Sequence, residues 1–159
     1  MSQEETVGDL EESVGYLLKQ AAVALRSAMD TVLRPLELTV PQYSCLEVLA
    51  QRPGSSNAEL ARATFVSRQA MHGVLRGLQD RGLVSRPTTA AQGRALPTQL
   101  TTSGRRHLRA ASAAVRAVER RMLATLDDTH RRRLGEDLRA CISTLTPDDG
   151  LTSSEEARR

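Results

Sequence analysis

The side chains best suited to specific chemistry lie close together in the middle of this 159-residue sequence. Ser67, Arg68 and Gln69 are consecutive, and His72 and Arg76 follow at helical spacing. An arginine can hold O6 and N7 of guanine with two hydrogen bonds, and a glutamine can hold N6 and N7 of adenine in the same way. Arg76 lies further along, where a phosphate is the closer partner. The pattern predicts that these side chains bind double-stranded DNA.

The distribution of charge fits such a partner. Lys19 is the only lysine among 22 basic residues, so the other cations are arginines. Arginine forms two parallel hydrogen bonds to phosphates and base edges. Residues 40–110 carry a net charge of +7, whereas residues 1–39 carry −4 and residues 111–159 are neutral overall. A basic module between acidic and neutral flanks is typical of nucleic-acid binding. A solvated, arginine-rich surface is the alternative that charge alone leaves open.

The sequence lacks the residue patterns that other functional classes require. Cys45, Cys141 and three widely separated histidines give neither a disulfide framework nor the spacing of a metal site. No paired acid and base indicates catalysis, so we expect no enzyme activity, no metal and no cofactor. The chain has no run of about 18 apolar residues, and its polar start is unlike a signal peptide. We therefore expect a cytoplasmic protein with no membrane partner.

A helix-turn-helix would place the DNA-reading side chains on an exposed surface. Asn57 is a candidate N-cap for a short helix, a turn follows near Phe65, and a second helix runs from Ser67 to about Arg81. Gly82 matches the left-handed glycine that closes many helices. The buried side of this unit is predicted to comprise the apolar residues of both helices: Leu60, Val66, Met71, Val74, Leu75 and Leu78.

A hairpin after Gly82 would make this a winged variant of the motif. Residues 83–86 and 95–100 are candidate strands, and Pro97 indicates that the second lies at an edge. Arg94 lies at the predicted tip. We expect it to enter the adjacent minor groove, because a narrow minor groove attracts arginine.

Apolar stripes precede this module. Residues 7–36 repeat apolar side chains at steps of three and four, which indicates one long helix that ends near Pro35. A second helix is expected from Pro41, with Thr39 as its cap. Its predicted apolar face comprises Tyr43, Leu46, Leu49 and Ala50.

Two more helices are predicted after the wing. One opens at Thr102 and keeps its apolar stripe to Leu126, and residues 127–129 break it before a last helix that runs through Leu145. Stripes of this length exceed what a small core covers, so part of the surface is expected to meet a second chain. The predicted fold is mainly α. It has an N-terminal dimerisation helix (7–36), a winged helix-turn-helix domain with a two-stranded wing (39–100), C-terminal dimerisation helices (101–146) and a disordered tail (147–159).

Three stretches carry a family resemblance: LTVPQY from residue 38, NAELARATFVSRQAMHGVLRGLQDRGLVSR from residue 57 and GRALPTQLTTSG from residue 93. Together the sequence resembles the MarR family of bacterial transcriptional regulators over nearly the whole ordered chain. The resemblance implies a homodimer in which the first, fifth and sixth helices form a dimer layer above two winged lobes. It also implies repression from a palindromic operator, with release when a small phenolic or lipophilic ligand binds between the layers.

The resemblance assigns roles to particular residues. The family's recognition helix maps onto residues 67–81, with base-facing positions at Ser67, Arg68, Gln69 and His72, and the wing arginine maps onto Arg94. Many members carry Asp-x-Arg in the wing, where this chain has Thr89 and Ala91. The wing is therefore less charged than is usual, and Arg94 alone remains to probe the minor groove.

A ligand pocket, if present, is expected where the first, second and fifth helices converge on the wing. Its polar-tipped candidates are Tyr16 and Gln20, which are four residues apart on one helix face, and Tyr43. Ordinary core or interface roles for these three side chains are the open alternative.

The segment TVPQY also resembles the branch of the family that senses organic hydroperoxides. That branch uses a reactive cysteine near the start of the first helix, where this chain has Gly15, and Lys19 stands where a tyrosine partner is common. The peroxide chemistry is therefore missing, and Cys45 is expected to be a small core residue.

The sequence thus predicts a homodimeric DNA-binding transcriptional regulator, a repressor that a small ligand releases. Two alternatives stay open. One is a DNA-binding activator or architectural protein that senses no ligand. The other is an adaptor that keeps the winged helix but binds proteins, and it would show no salt-dependent affinity for duplex DNA.

Overall fold

The computed structural model describes residues 8–86 and 97–146. It confirms a mainly helical fold with one pair of short strands, which is the predicted winged architecture. The strands are antiparallel and pair Val84 with Leu100 and Ser85 with Gln99. In chain order the elements are α1 (Val14–Leu33), α2 (Val40–Gln51), α3 (Asn57–Thr64), α4 (Arg68–Asp80), β1 (Val84–Ser85), β2 (Gln99–Leu100), α5 (Thr102–Met122) and α6 (Asp128–Leu145).

The chain divides into two compact units, residues 1–120 and residues 121–159. The first unit holds a core in which α2, α3, α4 and the strand pair converge. Its large side chains with less than 2% of their surface exposed are Leu33, Leu46, Leu49, Leu60, Met71, Leu75, Leu78 and Leu83. The helix-turn-helix is thus packed on its inner side much as the apolar spacing predicts. Ala50 is exposed, contrary to the prediction for the face of α2.

The starts of the helices in this unit are fixed by side-chain caps. Thr39 and Gln42 form a reciprocal capping box at the start of α2, which confirms the predicted cap. The cap of α3 is Ser56 rather than Asn57, because the Ser56 hydroxyl and the Glu59 carboxylate satisfy each other's backbone N–H groups. Asn57 is therefore the first helical residue and is free for another contact.

Three helical segments end in the same hydrogen-bonded turn, in which one residue takes the left-handed conformation. Gly82 does so after α4 with φ 67°, as predicted, and its N–H donates to the Gln79 carbonyl while the next N–H returns to Leu78. Phe65 after α3 and Glu37 after the turn that follows α1 occupy equivalent positions, with φ 59° and 54°. Of these three positions, only the one after α4 holds glycine, which the left-handed conformation favours.

The limits of the outer helices differ from the sequence prediction. α1 begins at Val14, not near residue 7, because Ser13 caps it after a single 3-10 turn at Leu10–Glu12. It gives way to a second 3-10 turn at Arg34–Leu36, which contains Pro35.

The strands and the last two helices are also shorter or differently bounded than predicted. Each strand has two residues within the described chain, where four and six were expected. α5 ends at Met122, so Leu126 lies in the connecting turns and not on the helix stripe. In the second unit Asp127 caps α6 by accepting a hydrogen bond from the His130 N–H at 2.8 Å.

Candidate nucleic-acid interface

α4 presents one face to the core and another to solvent. Met71, Leu75 and Leu78 are fully buried. The side chains predicted to read DNA, which are Ser67, Arg68, Gln69, His72 and Arg76, are all exposed. The structure therefore brings the five onto the outer surface of one short helix, where they are free to meet a ligand as large as a duplex.

The first turn of α4 is held by two hydrogen bonds that fix its direction. Ser67 is the N-cap, and its hydroxyl oxygen accepts from the Ala70 N–H at 3.0 Å. The Asn57 side chain donates to the Arg68 carbonyl at 3.3 Å and so links the start of α3 to the start of α4. Sequence reasoning missed this role of Asn57, because its partner lies 11 residues away in the chain. Asn57 thus fixes the helix start from outside the helix, whereas Ser67 both caps the helix and belongs to its exposed set.

The guanidinium groups of this surface are unpaired with acids in the part of the chain that the structure describes. The ion pairs found there are His130–Asp127 and Arg131–Asp128, both in the second unit. Arg68 and Arg76 therefore keep their full charge available for an anionic partner such as a phosphate. Arg81, in contrast, donates to the Glu37 carbonyl and serves to join the end of α4 to the turn after α1.

The acidic side chain of Glu59 takes part in the cap at the start of α3. The Ser56 backbone N–H donates to its carboxylate, which holds the pKa of Glu59 below its ordinary value. It remains charged at neutral pH as a cap at the positive end of α3.

Arg94, the predicted minor-groove residue, lies outside the described residues, as do Thr89 and Ala91. The described part of the wing is its base. There Thr101 follows β2 and extends its pairing to the residues before β1. Its N–H donates to the Leu83 carbonyl at 3.1 Å, and its hydroxyl donates to the Gly82 carbonyl at 2.6 Å. These bonds connect the end of α4 to the start of α5 beside the wing.

The three predicted ligand residues differ in environment. Tyr43 is buried, Tyr16 is half-buried and Gln20 is exposed. A surface cleft of about 250 Å³ follows α2, but its lining comprises Val48, Arg52, Pro53, Gly54, Ser55 and Glu59 and includes none of the three. Their role in ligand binding stays a prediction.

Tyr43 belongs to a polar cluster that joins α2 to α5. The half-buried Glu47 carboxylate accepts from the Ser112 hydroxyl at 2.9 Å and from the Gln51 amide at 3.0 Å, and the Tyr43 hydroxyl lies 3.5 Å away. Burial raises the pKa of Tyr43 above its ordinary value. Sequence reasoning missed Glu47 and Ser112, because no local pattern connects them.

Cys45 lies in the core as predicted. Its side chain is fully buried, and burial raises the pKa of the thiol to about 12. A thiol with such a pKa stays protonated at neutral pH and is a poor nucleophile.

The structure also bears on metal binding and on membrane crossing. Residues 8–86 and 97–146 contain no group of three or more His, Cys, Asp or Glu side chains placed to hold a metal ion. None of the helices in those ranges has the length and apolar character that crossing a bilayer requires.

The paired strands, the short α3, the exposed α4 and the long α5 together define a winged helix-turn-helix protein. Comparisons with known proteins narrow the class. A sequence model of the MarR family matches residues 36–95. The HTH-type transcriptional repressor Rv2887 of Mycobacterium tuberculosis is 46% identical over 119 residues, which make up 75% of this chain and 86% of that protein. This chain belongs to the MarR family.

Solved structures of the same relative superpose well. The crystal structure of Rv2887 in complex with DNA matches with a TM-score of 0.69 and 42% identity, covering 81% of this chain and 97% of that one. The complex of Rv2887 with salicylic acid matches with a TM-score of 0.68 and 43% identity, covering 81% and 96%.

Proposed function

We propose that this protein is a transcriptional repressor that binds a palindromic operator as a homodimer. It releases the operator when a small aromatic acid binds to it. One observation carries the DNA-binding part. α4 is capped at Ser67, buried along Met71 and Leu75, and exposes Arg68 and Gln69 in its first turn. The first turn of such a helix is the part that reaches base edges in a major groove. A similar protein has been solved on DNA, which supports the assignment.

Within this proposal the exposed side chains divide by position. Ser67, Arg68, Gln69 and His72 contact base edges, and Arg76 contacts a phosphate. Arg94 enters the minor groove from the wing. We assign residues 39–100 to the DNA-binding domain and residues 7–36 and 101–146 to dimerisation.

Exposed apolar side chains support dimerisation through the outer helices. One group lies in and just before α1, and another lies on α6 in the second unit. The first group comprises Leu10, Val14, Leu17, Leu18 and Val23, each more than 40% exposed, and the α6 group comprises Leu134, Ile142 and Leu145. Apolar surface of this extent is typical of an interface that a second copy covers.

Ligand control is supported by the relative that binds salicylic acid. Tyr16, Gln20 and Tyr43 are our candidates for the ligand contacts. Glu47 and Ser112 join them because they link α2 to α5 beside Tyr43. The cytoplasm is the proposed compartment, since duplex DNA is the proposed partner.

The test begins with selection of duplexes from a random library by the full-length chain. The selected duplex and a scrambled one are then titrated by fluorescence anisotropy at several salt concentrations. We expect two inverted half-sites, an affinity that falls steeply with salt, and release by salicylic acid. A salt-dependent affinity that salicylic acid leaves unchanged would favour an architectural protein. The absence of duplex binding would favour a protein adaptor and contradict the proposal.

Light scattering tests the assembly separately. A dimer at micromolar concentration has about twice the 17.3 kDa mass of the chain. A mass near 17.3 kDa under these conditions would contradict the dimer.

A further inference from the structure

Phe65 is neither buried in the core nor in a backbone conformation that phenylalanine favours. The residue is 95% exposed, so its ring adds nothing to the core. Its backbone has φ 59°, a left-handed conformation that disfavours any residue with a Cβ. The exposed ring gains no stability on folding and the left-handed conformation costs some, and Gly82 shows that the same turn elsewhere in this chain takes a glycine.

The strained conformation is imposed by the end of α3. The Phe65 N–H donates to the Arg62 carbonyl and the Val66 N–H to the Ala61 carbonyl, which closes the helix in the usual two-bond turn. Ala61 is buried and Val66 packs against the core, so the residues around the turn are fixed. The ring is therefore held outward on a rigid support.

The turn leads directly into the proposed reading surface. Ser67, two residues on, caps α4, and Arg68 and Gln69 are exposed in its first turn. A duplex seated on these side chains lies beside residue 65. The atoms that a duplex offers to an aromatic ring at a groove edge are deoxyribose carbons and the thymine 5-methyl group.

We propose that Phe65 is a DNA-contacting residue whose ring packs on apolar atoms of the duplex, sugar carbons or a thymine methyl, beside the bases read by the first turn of α4. The inference rests on the proposed DNA-binding function. It explains why an apolar side chain stands exposed at a strained turn, because the ring becomes buried only in the complex.

The test compares Phe65→Gly with the wild type on a duplex selected from a random library by the full-length chain. The Phe65→Gly variant removes the ring and relieves the left-handed conformation, so its unfolding temperature should not fall. Its affinity for the selected duplex should drop by about tenfold, the loss expected for part of an aromatic side chain's burial in each of two half-sites. The salt dependence should stay unchanged, because no charge is removed.

Glu37→Gly is the matched control. Glu37 has the same left-handed turn conformation, with φ 54°, and it contacts only the far end of the recognition helix, where its backbone carbonyl accepts from Arg81, a bond that glycine keeps. Its replacement relieves comparable strain and should not weaken DNA binding. Phe65→Asn is a second variant, since asparagine tolerates this conformation, and it should weaken binding to the same extent because it too lacks the ring.

The outcomes separate this inference from the proposed function. If the wild type binds the selected duplex and both Phe65 variants bind it equally well, the inference is overturned and the repressor proposal stands. If the wild type binds no duplex, both are overturned. Replacing thymine by uracil identifies the contacted atoms. If uracil weakens binding by the wild type but not by Phe65→Gly, the ring contacts the thymine methyl group. If uracil leaves the affinity of the wild type unchanged, the ring contacts sugar carbons.

Discussion

Gly104 lies directly against the backbone carbonyl of Leu83, and a Cβ on Gly104 would collide with that oxygen. The contact sets the close approach between the first turn of α5 and the segment that enters β1. Thr101 reinforces it, since its hydroxyl oxygen accepts from the Gly104 N–H at 3.0 Å and its own N–H donates to Leu83. The position of α5 beside the wing thus depends on the absence of a side chain at Gly104.

Gly104→Ala should therefore lower the free energy of unfolding by about 1–3 kcal/mol, the usual cost of overpacking a tight contact. Thermal or urea unfolding measures the change. Gly73→Ala is the control, because a Cβ there meets nothing within 4 Å on the same unit. Alanine at that helical position should stabilise the protein by about 0.5–1 kcal/mol. Equal effects of the two substitutions would show that the Leu83 contact has no energetic role.

The bond between Glu47 and Ser112 should couple α2 to α5. A double-mutant cycle with Glu47→Ala and Ser112→Ala measures the coupling in unfolding experiments. Because a half-buried carboxylate loses a hydrogen bond of 2.9 Å, we expect a coupling energy of about 1 kcal/mol. Additive effects would contradict the interaction. Gln51→Ala, which removes a bond within α2 alone, provides the comparison for a local contact.

The start of α6 should show a pH dependence of known sign. The hydrogen bond from the His130 backbone N–H lowers the pKa of Asp127 below its ordinary value of 3.8. A lowered pKa means that the cap is fully formed above pH 3.8 and is lost as the pH falls through the folded-state value. NMR titration of the Asp127 carboxyl carbon should therefore give a midpoint below 3.8.

Asp127→Asn provides the control for this titration, because an asparagine caps the helix without titrating. In that variant the His130 amide signal should keep its position through the acid range. A wild-type midpoint at or above 3.8 would contradict the cap that the structure shows.

The sequence predicted features that depend on near neighbours. Thr39 and Gly82 were identified because a cap or a left-handed turn has a local signature. The assignment of Asn57 as the α3 cap was wrong, although Glu59 three residues after Ser56 completes the capping-box pattern and could have shown it. Asparagine and serine are comparable caps, so residue type alone could not decide between them.

Features that depend on distant contacts were beyond the sequence. Glu47 and Ser112 are 65 residues apart, and their hydrogen bond exists only because α2 and α5 pack together. The constraint at Gly104 is of the same kind, since Leu83 is not a helical neighbour. The exposed face of α4 was predictable because its buried side repeats at the helical period.

Arg94→Ala tests the wing. Because a narrow groove attracts arginine, the variant should weaken DNA binding more when A·T pairs flank the half-sites than when G·C pairs do. A groove interaction of this kind is worth about 1–3 kcal/mol, so an affinity loss of about tenfold is expected with A·T flanks. Anisotropy titrations with the two flanks give the comparison. Equal losses would show that Arg94 contacts only a phosphate.

In the proposed complex the first turn of α4 reads bases while Arg76 contacts the backbone. Arg68→Ala and Gln69→Ala should each cost about 1–3 kcal/mol per half-site on the selected duplex and leave scrambled DNA little changed. Arg76→Ala should weaken both duplexes about equally and reduce the salt slope by about 1 for each phosphate that the arginine no longer neutralises.

The decisive quantity is the ratio of affinities for selected and scrambled duplexes, taken by anisotropy at matched salt for the wild type and these three variants. We expect the ratio to fall at least about tenfold for Arg68→Ala and Gln69→Ala and to stay constant for Arg76→Ala. An unchanged ratio for Arg68→Ala and Gln69→Ala would contradict the assignment of α4 as the reading helix.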